Sequence, residues 1–229
     1  MDIRSIAPMA IPYNEYRYLW SPRPAHIIKP DKLEDYENSQ WLAQPKLNGS
    51  NTLVFMHSDG TAIVKNRHGQ DKTGQIKIDF AKLYRGEGWF VLNGEWMEKS
   101  KKDEGGNNFN GNFVIFDVLA YNGHILAGST VVNRLHLLHD LYGHSFMSVV
   151  ENKLVTSEPY LYLTGIDNVY RVVTYTNKFK LLFNMLTKID MYEGLVVKHI
   201  GFHLLPPFTQ IANDKSMFKS RKETKIYKY

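Results

Sequence analysis

The chain has 229 residues, room for one large domain or two small ones, and its 43% hydrophobic and 22% charged content is that of a soluble globular protein. It has no cysteine, which excludes a disulfide framework and any cysteine-based zinc site, and it shows no bilayer-length apolar run and no signal peptide, so the expected compartment is the cytoplasm. The formal net charge of +5 suits an anionic partner such as nucleic acid.

Residues 1–40 are rich in Tyr, Pro and Trp, and Pro12, Pro22, Pro24 and Pro30 argue against long regular elements there. This stretch is expected to be irregular and packed on a domain spanning 41–229. "NTLVFMHS", Asp59–Gly60 and "TAIVKNR" read as a β-hairpin, with D-G suited to a type I′ turn. "GWFVLNGEWM" and "NFVIFDVLAY" are further apolar strands. The polar "KSKKDEGGNNFNG" between them is expected to be a mobile loop, and its "GGNN" lacks the strand-then-helix setting of a phosphate-binding loop. Asn122–Gly123 marks a second hairpin. "STVVNRLHLLHDLYG" predicts a helix capped by Ser/Thr and stopped at Gly143, and the second half of "NVYRVVTYTNKFKLLFNMLTKI" predicts another. His136 and His139 stand at i,i+3 on the first helix, but no third ligand accompanies them, so they read as ordinary helix-face residues. "YEGLVVKHI" is a buried-type strand, and "SMFKSRKETKIYKY" is a basic, strand-like tail. Strands interrupted by helices imply an α+β architecture.

Lys46 stands in "AQPKLNGSNT", between an apolar run and a small polar loop. A lysine ammonium titrates near ~10.4, so a nucleophilic lysine must be helped to shed its proton. A phosphate electrophile would also need cationic clamps and a metal-holding carboxylate. Glu95, Glu193, Lys198, Lys219 and Arg221 supply such groups at strand ends. Strict alternation puts Glu193 and Lys198 on opposite faces of one strand, so only a bulge or the strand ends could unite them. Lys219 and Arg221 share a face.

Six short stretches then occur in order between residues 44 and 222: "KLNG", "NRHG", "LNGEWM", "FVIFDVLAYNG", "EGLVVK" and "FKSRK". Together they resemble the motif series of the covalent nucleotidyltransferase superfamily, which comprises ATP-dependent DNA ligases, RNA ligases and mRNA capping enzymes. The resemblance implies two antiparallel β-sheets flanked by helices, with the nucleotide between them; most relatives carry a further OB-fold or helical domain, for which the remaining length leaves no room, so no OB-fold is expected. It implies that Lys46 attacks the α-phosphorus of ATP to give a lysyl–AMP phosphoramidate. Gln44 would recognise adenine, Arg67 and Glu95 would bind the ribose and phosphates, and Phe116 would stack on the base. Glu193 would hold Mg2+ or Mn2+, and Lys198 and Lys219 would contact the α-phosphate.

Three features depart from the usual series. Asn48 replaces an aspartate, which keeps the hydrogen-bonding shape without the charge. Ser50–Asn51 gives K-x-x-G-S-N, similar to one RNA-ligase branch, whereas the flanking residues read more like phage or bacterial DNA ligases and like capping enzymes. Arg221 replaces the second lysine of the last motif. The chain ends soon after that motif, so the domain is expected to work alone, to take its clamp from a partner protein, or to keep only a partial reaction; a monomer is expected. The basic residues from Lys215 to Lys228 would help to bind phosphates. The expected substrate is nicked or broken DNA or RNA. The alternatives are a GTP-dependent capping guanylyltransferase and a non-catalytic nucleic-acid-binding relative.

Overall fold

A computed structural model describes residues 24–143, 146–147, 160–204 and 214–224. The apolar runs pair into two sheets. One is six-stranded, in the order β1 (Pro24–Ile27), β13 (Asp214–Arg221), β12 (Tyr192–His199), β2 (Trp41–Leu47), β11 (Thr174–Tyr175) and β8 (Phe146–Met147). The other is seven-stranded, in the order β4 (Ala62–Asn66), β3 (Ser50–His57), β5 (Trp89–Trp96), β6 (Phe113–Tyr121), β10 (Val169–Val172) and β9 (Leu161–Leu163), with β7 (His124–Ile125) added on β6.

The sheets are mixed, not purely antiparallel as expected. β1 runs parallel to β13, β10 to β6 and β11 to β8. Parallel neighbours need a long crossover. The short helix α1 (Phe80–Leu83) lies between β4 and β5; the segment from β6 to β10 supplies a crossover, and it contains helix α2 (Val131–Tyr142). Among the described residues the sheets contain no OB-fold barrel. Pro24 opens β1, and Pro30 opens a 3-10 helix (Pro30–Tyr36), so these two prolines sit at element starts where a missing N–H is tolerated. Residues 1–23 and 225–229 lie outside the described residues.

The hairpins differ in kind. At Asn122–Gly123 both residues have positive φ, 50° and 74°, as a type I′ turn needs. At Asp59–Gly60 only Gly60 does, at 90°. There His57 N–H donates to Thr61 O at 2.9 Å and Gly60 N–H to His57 O at 3.0 Å, giving a three-residue loop rather than the expected type I′ turn.

α2 forms where expected. Thr130 Oγ1 accepts from Asn133 N–H at 3.1 Å, and Gly143 closes the helix. α3 (Phe179–Leu186) occupies the second half of its predicted stretch. α3 packs Phe179, Leu182, Phe183 and Leu186 on the six-stranded sheet, beside Ala43, Leu195 and Val197. α2 packs Val131, Leu135 and Leu138 on the other sheet, beside Val54, Leu92, Ile115 and Val118. Each amphipathic helix thus buries its apolar face on one sheet. No helix among the described residues is long and apolar enough to cross a membrane.

The loop after β5, expected to be mobile, is pinned. Asp103 Oδ1 accepts from Gly105 and Asn107 N–H at 2.9 and 2.7 Å, Lys101 pairs with Asp190 at 3.0 Å, and Tyr192 donates to Glu104 at 2.7 Å.

Candidate functional site

β2 belongs to one sheet and β3 to the other, and only Asn48 and Gly49 separate them. Lys46 therefore sits where the chain crosses between the sheets. Gly49 is required by packing. A Cβ there would lie 2.5 Å from Trp96 O and 2.9 Å from Glu95 Cγ. Asn48 is not on the cavity wall; its N–H donates to Met191 O at 2.9 Å.

A cavity of about 590 Å³ opens beside this crossing. Gln44, Lys46, Arg67, Glu95, Phe116, Glu193, Lys198 and Lys219, the residues singled out by sequence, all line it. Register explains the six-stranded side. Gln44, Val196 and Lys219 lie opposite one another across β2, β12 and β13, as do Leu42, Lys198 and Met217. Directly opposed residues share a face, so Lys198 and Lys219 reach the same side as Lys46.

Glu193 reaches that side through a bulge. Leu47 pairs with Tyr192 and Lys46 with Gly194, leaving Glu193 as the extra residue. Gly194 carries φ +151°. β6 repeats the device, because Asn93 pairs with Asp117 and Gly94 with Ile115, leaving Phe116 extra. Consecutive residues Phe116 and Asp117 consequently both line the cavity.

The side chains form a paired set. Lys46 Nζ lies 2.5 Å from Glu193 Oε2. Glu95 accepts from Gly49 N–H at 3.1 Å. Burial pushes the Glu95 carboxyl up to about 7, against the opposing pull of Lys46 and the Gly49 amide. Lys198 is buried with its Nζ 5.5 Å from the centre of the Phe116 ring, and burial lowers it to about 8. Burial and then the Arg221 charge lower Lys219. Gln44 donates to Thr174 Oγ1 at 3.1 Å. The exposed Arg67 is anchored by its backbone, whose N–H donates to Asn51 O at 3.1 Å.

Sequence reasoning missed several wall residues, among them Asn51, Asn93 and Asp117. Asn51 Nδ2 donates to Asn93 Oδ1 at 3.0 Å. Asp117 is held by Arg134 of α2, with Nε–Oδ1 at 2.8 Å and Nη2–Oδ2 at 3.0 Å. Their one available signal was position: Asn93 lies two residues before Glu95 on a strand, and Asp117 directly follows Phe116.

Among the described residues no cluster of three or more His, Asp or Glu could cage a metal. The set does fit a hard divalent cation held by one or two carboxylates and completed by substrate phosphates, the usual habit of Mg2+. Glu193, on the cavity wall beside Lys46, could supply such a carboxylate.

No protein-family model and no curated protein matches this sequence. Solved structures do match. The fold is that of the ligase domain of DNA ligase D. The mycobacterial DNA ligase D structure complexed with ATP and MES superposes with a TM-score of 0.62 at 18% identity, over 90% of this chain and 61% of that one. The ligase domain from M. tuberculosis LigD superposes with a TM-score of 0.56 at 17% identity, over 89% of this chain and 58% of that one. The chain thus spans about three-fifths of the length of these two structures.

Proposed function

We propose that this chain is an ATP-dependent polynucleotide ligase, acting on nicked or broken DNA or RNA through a lysyl–AMP intermediate. The observation that carries the reading is the convergence of Lys46, Glu193, Lys198, Lys219 and Arg221 on one cavity wall, facing Glu95 and Phe116. ATP is the nucleotide proposed because the mycobacterial DNA ligase D structure is an ATP complex and has the same fold.

Lys46 Nζ attacks the α-phosphorus, forming a P–N bond as the bond to the bridging oxygen breaks and pyrophosphate leaves. Glu193 Oε2, 2.5 Å away, is the acceptor at hand for the ammonium proton. Lys198, Lys219 and Arg221 offset the charge that develops on the phosphates. Phe116 offers a face to the base and Gln44 a polar edge, while Glu95 and Arg67 hold the ribose and phosphates. Mg2+ or Mn2+, held by Glu193 with phosphate oxygens, would supply charge neutralisation. The AMP then passes to a 5′-phosphate, and a 3′-hydroxyl displaces it to close the phosphodiester.

The test is label transfer. The protein, verified as free of AMP, is incubated with Mg2+ and α-labelled ATP or GTP and run on a denaturing gel beside Lys46→Ala. A labelled band from ATP that is lost in the variant is expected. Label from GTP alone would reassign the chain to capping chemistry. No label from either nucleotide would leave a nucleic-acid-binding module.

A further inference from the structure

Asn93 is 1% exposed yet forms part of the cavity wall. Its Oδ1 is taken by Asn51 Nδ2 at 3.0 Å, which fixes the orientation of the amide. Its Nδ2 is buried with no hydrogen-bond partner. A buried amide donor left unpaired costs about 1–3 kcal/mol, so one on a cavity wall marks the place of a missing acceptor.

The acceptor's position follows from the strands. Asn93 and Glu95 stand at i,i+2 on β5 and share its cavity face. Glu95 abuts the Gly49 loop just past Lys46, where its carboxylate accepts the Gly49 N–H. Asn93 lies further along, opposite Asp117 and next to Phe116. A nucleotide with its α-phosphorus at Lys46 and its base on Phe116 would place its sugar over the space between these two groups. Glu95 offers an acceptor and Asn93 a donor. A hydroxyl both donates and accepts, so a single hydroxyl satisfies the pair.

We infer that Asn93 is a specificity-determining residue, which donates its Nδ2–H to the ribose 2′-hydroxyl oxygen while Glu95 accepts that hydroxyl's proton, so that the site selects ribonucleoside over deoxyribonucleoside triphosphates. This inference rests on the nucleotide placement proposed above. Removing the hydroxyl would leave the buried Asn93 donor unpaired again, and a site built to bond a hydroxyl rejects analogues that lack it far more strongly than an apolar pocket rejects a methylene.

The experiment is a calorimetric titration of the full chain and of Asn93→Ala with ATP and with 2′-deoxyATP, run beside the label-transfer assay. The unsubstituted chain is expected to bind ATP at least about tenfold more tightly than 2′-deoxyATP. Asn93→Ala should lose about tenfold for ATP and stay within about twofold for 2′-deoxyATP, so that the preference collapses. Asn93→Asp, which keeps the shape and removes the donor, should lose the preference as well. Equal losses for both nucleotides would assign Asn93 a structural role and overturn the inference. So would equal affinities in the unsubstituted chain, or no ATP binding at all. The two readings separate cleanly. Preference without covalent label keeps the ribose contact and removes Lys46 as nucleophile; label without preference does the reverse.

Discussion

Glu95 is pulled in opposite directions. Burial and the nearby Glu193 charge favour its neutral form, while Lys46, the Gly49 amide and Arg67 favour the anion. Burial dominates, and the midpoint rises from 4.5 to about 7. The sign of the stability effect follows. Across that window the folded chain keeps a proton that the unfolded chain has released, so stability falls as pH rises from about 4.5 to about 7, and above it the loss is complete. Glu95→Gln cannot ionise and can still accept from Gly49. Its Tm, measured by circular dichroism at intervals across the window, should decline less than that of the unsubstituted chain and exceed it above about 7. Parallel curves would mean that Glu95 is better solvated than its position implies. Glu95, Lys46 and Lys198 could be picked out in the sequence because each stands in a short motif with a chemical reason for its type. Asn93 and Asp117 could not. Their partners, Asn51 and Arg134, come from other strands and from α2, and nothing local marks an amide whose bonding is completed 42 residues away or a carboxylate neutralised 17 residues on.

The individual elements were largely readable, because period-two apolar runs, Asn122–Gly123 and the Thr130 and Gly143 caps act locally. The parallel pairings were not, since β1 joins β13 across most of the chain. The bulges were equally hidden. Regular alternation sets Glu193 against Lys198, and a single extra residue in β12 reverses this. Gly194 makes that bulge possible. Its φ of +151° is one that side chains rarely adopt, and an added Cβ would collide with the Ser220 carbonyl and lie 2.8 Å from Arg221 Cα. Gly194→Ala must therefore push β13 away or straighten β12. The expected cost is about 2–4 kcal/mol in chemical denaturation, with loss of self-labelling even where the chain remains folded, because Glu193 leaves Lys46. Unchanged stability with full labelling would show that the bulge does not position Glu193.

At the scale of the whole molecule the cavity is a seam. Lys46, Glu193, Lys198 and Lys219 come from one sheet, Glu95, Asn93 and Phe116 from the other, and two residues of backbone join the sheets beside it. Each sheet carries one helix, but the cores cross the seam: Val114, Leu161 and Val172 of the seven-stranded sheet pack in the α3 cluster, and Leu42 and Met217 of the six-stranded sheet pack in the α2 cluster. A nucleotide bound in the seam would contact both halves and tie them together. Binding to the folded state alone adds about 2.7 kcal/mol at a hundred times Kd, and that stabilisation must be felt wherever opening of the seam precedes exchange. Hydrogen exchange with α,β-methylene ATP, which cannot release pyrophosphate, should accordingly slow the amides of β5 and β12 together. Protection confined to β12 and β2 would mean that the phosphates dock on the cationic wall while base and sugar stay outside. The positions assigned to Phe116, Glu95 and Asn93 would then fail as a group, whereas joint protection would make the inter-sheet seam the binding site.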